Sequence, residues 1–179
     1  MQTTVGNVLI GSGDLQAVIV PPGGGGAAFT SLGGFRDGLS INMSEDRVNV
    51  ESQDSLGFVK SVRSRAEMTI TTSLLESTLS NLNFVLRGND AAGVPTATTS
   101  IQLTADPSDS EPNHATPMKF IGDSTDGGLK TWTFSSVVPV LDGDLTYSKD
   151  SELLIPVTFM CLAVKSAANT WGFGWVLDG

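Results

Sequence analysis

The sequence predicts a mainly β fold, a β-sandwich or half-barrel with one flanking α-helix and long loops. Three observations carry that reading. Between positions 56 and 71 the chain alternates with a period of two. Leu56, Phe58, Val62, Ala66, Met68 and Ile70 fall on one parity, and Ser61, Arg63, Arg65, Glu67, Thr69 and Thr71 on the other. That is the mark of a strand with one buried and one wet face. The spacing then becomes helical, with Leu75, Leu79, Leu82 and Leu86 on a single stripe. Finally, Gly-, Asp- and Asn-rich turn signals cut the C-terminal third into short apolar runs, as in sheet proteins.

Residues 1–20 hold a polar opening and then apolar runs at 8–10 and 15–20, split by Gly11-Ser12-Gly13-Asp14. They read as short strands or as an extended N-terminal arm within 1–30. Pro21, Pro22 and the glycines Gly23 to Gly26 break the chain. No Lys-Ser/Thr follows them, so a linker or mobile loop is expected rather than a phosphate-binding loop. Leu39, Ile41 and Met43 alternate, Ser44-Glu45-Asp46-Arg47 reads as a turn, and Val48 and Val50 resume the strand. This predicts a polar-tipped hairpin leading into 51–55. The helix has Ser73 or Thr72 available as N-cap and Glu76 in its first turn. Arg87 sits at its negative end, with Gly88 or Asn89 as the left-handed cap.

Residues 91–116 are rich in Ala, Thr, Ser, Pro and Asp, with a short strand expected near 99–105 and a surface loop after it. A strand at 118–121, a turn at 122–128 and a long strand at 129–140 follow. Leu141-Asp142-Gly143-Asp144 turns the chain. The run 153–164 is the most apolar and reads as a central strand, although Pro156 within it implies an edge position or a bulge. After a turn at 167–169, Trp171, Phe173, Trp175 and Leu177 alternate in a last strand. Positions 1–179 are expected to form a single domain, with long loops near 44–57 and 88–117.

A chain of 179 residues with 40% hydrophobic content buries a sizeable core. No apolar run reaches the roughly 18 residues of a spanning helix, and the first 15 residues lack the basic-then-apolar order of a signal peptide. Neither membrane insertion nor a signal segment is expected. The single cysteine, Cys161, has no internal disulfide partner, which fits folding in a reducing cytoplasm. Its apolar surroundings predict a buried strand thiol. The net charge of −9 argues against a protein that grips nucleic acid. It is compatible with a solubilising surface or with a wall that repels passing phosphates.

The parts of an enzyme are missing. His114, the one histidine, lies in a Pro/Asn/Ser/Asp loop, and zinc sites of the usual composition cannot be assembled from one His and one Cys. Gly122 to Gly127 comes near a nucleophile elbow but places its second glycine too late. The acids Asp106, Asp109 and Glu111, Asp123 and Asp126, and Asp142 and Asp144 cluster as turn residues do. None has the order of an EF-hand loop. No catalytic residue, metal or cofactor is expected. Trp171, Phe173 and Trp175 suit a stacking platform, but alternating aromatics in a last strand more often pack into a core.

Three stretches resemble the tail tube (major tail) proteins of long-tailed bacteriophages. They are the order of Leu32-Gly33-Gly34, Asp37-Gly38, Ile41, Glu45 and Val48; the run ESQDSLGFVKSV followed by TTSLLESTLSNLNFVL; and TWTFSSVVPVLDGDLTYSKDSELLIPVTFMCL. The resemblance covers roughly 31–86 and 130–162. It implies a tail-tube-like fold whose subunits form hexameric rings, with inner sheets joined into a lumen-lining barrel and rings stacked into a tube. DNA would pass from capsid to host through that lumen without specific binding. Partners would be other copies of the chain, a tail-tip initiator, a tape-measure protein and a tail terminator, in a virion tail assembled in the host cytoplasm. A long loop near 44–57 would reach a neighbouring subunit, which makes Glu45, Asp46, Arg47, Glu51 and Asp54 candidate assembly contacts. Arg63 and Arg65, beside Glu67 on the polar parity, join them as charges able to pair with acids of a neighbour. The stretches 21–28 and 88–117 have no counterpart in the family. The alternatives are a β-sandwich binding module, such as an adhesin or capsid decoration protein, and a tube protein of a contractile or secretion system.

Overall fold

Ten strands and one helix form among the residues described by the structure, a computed structural model covering 9–19, 28–51, 58–87, 115–124, 128–146, 152–166 and 170–178. In chain order they are β1 (Leu9–Val18), β2 (Phe29–Ser31), β3 (Phe35–Glu51), β4 (Phe58–Leu74), α1 (Leu79–Arg87), β5 (Thr116–Ser124), β6 (Leu129–Leu141), β7 (Ile155–Cys161), β8 (Val164–Lys165), β9 (Trp171–Gly172) and β10 (Gly174–Asp178). The fold is mainly β with one helix, as the alternation predicts. The expected strand near 99–105, the loop before Thr116, the helix cap at Gly88 or Asn89, and His114 lie outside the described residues.

One antiparallel sheet runs in the order β2-β1-β5-β6-β7-β4-β3, with β10 as an extra neighbour of β6; β8 and β9 pair separately. The sheet is strongly curled. Phe35 on β3 and Phe120 on β5 lie four strand spacings apart, roughly 19 Å in a flat sheet. Their ring centroids are 6.0 Å apart. The concave side holds the core, built from Leu15, Ile70, Leu74, Met118, Val137, Ile155, Val157 and Phe159. The helix fills that concavity, with Phe84 packed 6.3 Å from Phe159.

The helix begins later than its leucine spacing suggests. Hydrogen-bonded pairing with β7 runs through Thr72, Ser73 and Leu74, so their backbone is committed to the ladder and neither Thr72 nor Ser73 caps a helix. Thr78 does: its Oγ1 accepts from the Asn81 amide at 3.1 Å. Glu76 precedes the helix. The buried stripe is Asn81, Phe84 and Val85, while Leu75 and Leu79 are exposed. Asn81 is buried because it donates from Nδ2 to the carbonyls of Leu32 and Glu76, both at 2.9 Å. It thereby ties the helix to the chain before β3.

Within the stretch expected as short strands or an arm, Leu9–Val18 is one strand inside the sheet, between β2 and β5. Leu15 and Ala17 are fully buried, and the Thr116 hydroxyl donates to the Val18 carbonyl at 2.5 Å. β7 is central, as its composition predicts, and Pro156 sits in it without a bulge or an edge. The Pro156 carbonyl accepts from Asp142, one residue past the end of β6. The ring nitrogen points to that same side, where the β6 ladder has stopped, so the missing N–H costs no ladder bond. Cys161, in the last position of β7, is buried, and burial pushes its thiol up to about 12.

Candidate assembly surface

The charged residues singled out near 44–67 do not flank a turn. β3 continues through Ser44–Arg47 to Glu51, and β3 and β4 form a long antiparallel ribbon. β7 accompanies β4 only from Met68 to Leu74. Beyond that point the ribbon has no other strand beside it among the described residues. Two strands alone bury too little to be stable in water, so the side chains on this ribbon matter.

Register decides where they point. Ile41 pairs with Ile70, Met43 with Met68 and Glu45 with Ala66, and directly paired residues share a face. Asp46 then pairs with Arg65 but Arg47 with Arg63, which leaves Ser64 as an extra residue. Its hydroxyl donates to the Asp46 carbonyl at 3.1 Å. A one-residue bulge exchanges the faces of everything beyond it on that strand. Val62 therefore does not share a face with Ala66 and Met68. It joins Val48, with Val50 next along, on the opposite side. All three valines are about half exposed, at 43%, 56% and 49% for Val62, Val48 and Val50. The apolar stripe of the ribbon thus crosses from the inner face near the body to the outer face toward the tip.

The bulge also separates Arg63 from Arg65. Arg63 turns to the inner face, where it and Arg47 both pair with Glu45, at 2.5 and 3.0 Å. Arg65 stays on the outer face with Asp46 and pairs with Glu67. These exposed intrachain pairs contribute little to folding. Glu51 ends β3, and Asp54 lies outside the described residues.

A fork in the sheet leaves a second surface open among the described residues. Ser135 and Ser136 on β6 hold two different neighbours: the Ser135 amide donates to the Phe173 carbonyl and the Leu162 amide donates to Ser136, both at 2.8 Å. At this point β7 peels away, makes the β8–β9 hairpin and returns as β10 along Lys130 to Phe134. Gly174 is required there, because a Cβ would lie 1.9 Å from the Thr133 carbonyl oxygen. Between this end and the ribbon lies a cleft of about 420 Å³. All three tryptophans of the chain, Trp132, Trp171 and Trp175, line it, with Phe173, Met68 and Arg63.

The aromatic alternation of the last strand does not give a packed core. A bend at Phe173 separates β9 from β10. Phe173 packs against the core, while Trp171 and Trp175 stay 68% and 55% exposed. Among the described residues no layer of the sheet covers the fork. The sequence signal for the outward-facing valines of the ribbon is the parity change between Met43 and Val48, which marks an exchange of faces rather than a turn.

The acids of the Leu141–Asp144 turn do local work, Asp142 accepting from the Thr158 hydroxyl at 2.6 Å. Among the described residues no three His, Cys, Asp or Glu side chains converge, and no helix is long and apolar enough to cross a membrane. His114 and the acids at 106–111 lie outside the described residues. No family model matches the chain, and no curated protein matches it.

Proposed function

We propose that the chain is a structural subunit that assembles with copies of itself, as a tail tube protein of a long-tailed bacteriophage. One observation carries the reading: a projecting two-stranded ribbon whose bulge turns Val48, Val50 and Val62 to the outside. Exposed apolar strands with open edges are an aggregation hazard unless a partner covers them. A ring of copies removes the hazard by closing each edge on the next, and stacked rings extend it into a tube. The resemblance described above supplies the tube, the hexameric ring, the tail-tip, tape-measure and terminator partners, and DNA as cargo. The acidic balance of the chain suits a lumen that DNA must cross without sticking. No catalytic step belongs to this role.

The test is negative-stain electron microscopy of the purified chain together with its mass in solution at rising concentration. Rings or hollow tubes are expected. A monomer at every concentration, with or without a tail-tip complex, refutes the reading. The exposure of Trp171 and Trp175 favours one second reading, a binding module that uses its aromatic cleft. In that case the protein stays monomeric and its tryptophan emission responds to a soluble ligand.

A further inference from the structure

We infer that the free edge of β10 takes up an extended peptide of a partner protein as an added strand, with the peptide's side chains seated in the tryptophan cleft. This goes beyond the self-assembly reading and holds whether or not copies of the chain associate. β10 has β6 on one side and, among the described residues, no strand on the other. The Ser135 amide donates to the Phe173 carbonyl. That bond makes Gly174 and Phe134 a non-hydrogen-bonded pair, and Trp175 and Thr133 a hydrogen-bonded one. The amides and carbonyls of Gly174, Val176 and Asp178 therefore point away from β6. An extended backbone presents donors and acceptors at that same two-residue spacing, which is how a peptide adds to a sheet edge.

It is the edge of β10 that the cleft exposes. Gly174, Trp175 and Val176 are consecutive, so their side chains alternate between faces, yet all three line the cleft. The inner face of the ribbon lines it too, through Met43, Ala66 and Met68. A strand laid on β10 thus finds backbone partners on one side and apolar surface for its alternate side chains. The edge lacks the devices that usually protect one. β10 contains no Pro or Lys, its only charge is at its last residue, and its ladder with β6 has no bulge. Trp175, Val176 and Leu177 stay 55%, 48% and 57% exposed. The one charged side chain lining the cleft is Arg63. It shares the single acid Glu45 with Arg47, and Lys165 Nζ lies 6.0 Å from the centre of the Trp171 ring. The added strand therefore carries a carboxylate among aliphatic side chains.

The experiment selects binders of the full chain from a displayed library of random heptapeptides, at a dilution where the chain is monomeric. Enriched sequences should alternate aliphatic residues and contain an aspartate or glutamate. A selected sequence, made as a free peptide, should protect the amides of Gly174, Val176 and Asp178 from hydrogen exchange and shift the tryptophan emission. Methylating the peptide amides of one parity should weaken binding about tenfold or more, because carbonyls on β10 lose their donors; methylating the other parity should not. Val176→Pro removes an outward amide and no bond to β6, so the same loss is expected while the β6 amides stay protected. Arg63→Ala should abolish the preference for the acidic residue over its amide. A library that enriches nothing overturns the inference. So do binders indifferent both to Val176→Pro and to amide methylation, which would be held by side chains alone. Protection of the same amides without peptide, rising with protein concentration, makes the occupant a second copy and also overturns it. Rings or tubes formed by the chain alone are a separate readout, so failure here leaves the self-assembly reading standing.

Discussion

Replacing Val48, Val50 and Val62 together by threonine isolates the role of the ribbon's outer face. Threonine keeps the branched β-carbon and the shape of valine, so strand preference is retained while apolar surface is lost. Full burial of a valine is worth about 1.5–3 kcal/mol. Roughly half of each side chain is still in water in the single chain, so covering them with a partner adds about 1 kcal/mol each. Losing about 3 kcal/mol corresponds to a drop of about 100-fold in the association constant. Folding should hardly change, because the same side chains are exposed before assembly; a Tm shift of less than about 5 °C is expected. Sedimentation velocity over a concentration series measures the first quantity, and a thermal melt at a dilution where the chain is monomeric measures the second. An unchanged association midpoint would remove the ribbon from the interface. A large fall in the Tm of the monomer would mean that the valines pack within their own fold, and the argument from register would be wrong.

Three other outcomes follow from the geometry. Gly174→Ala drives a Cβ into the Thr133 carbonyl, so β10 should separate from β6. Its amides should then exchange rapidly in hydrogen-exchange mass spectrometry while those of β4 and β7 stay protected. Asn81→Ala leaves the Leu32 and Glu76 carbonyls without their side-chain donor, costing about 2–3 kcal/mol in a urea titration. Cys161 should resist iodoacetamide at pH 8 until the chain is unfolded. Its thiol rises from 9.0 in the open chain to about 12 when buried, so the folded state holds the proton more tightly. Stability from this group is complete below pH 9 and is lost as pH rises toward 12; Cys161→Ala should flatten that part of the pH profile.

The sequence by itself determined what depends on local pattern. The apolar run 153–164 and the segment 129–140 between turn signals mark strands because burial in a sheet demands apolar runs bounded by turns, and β6 and β7 lie within them. The buried character of Cys161 followed from its apolar neighbours in the same way. The tertiary structure alone decided what depends on distant partners. The helix starts at Leu79 because β7, some eighty residues later in the chain, holds the backbone of 72–74 in a ladder. Val62 and Arg63 point where they do because β4 slips by one residue against β3 at Ser64. A period-two pattern carries no mark of that slip on the bulged strand itself. Trp171 and Trp175 are exposed because the sheet forks at Ser135 and Ser136, and alternation names two faces of a strand without saying which of them another layer will cover.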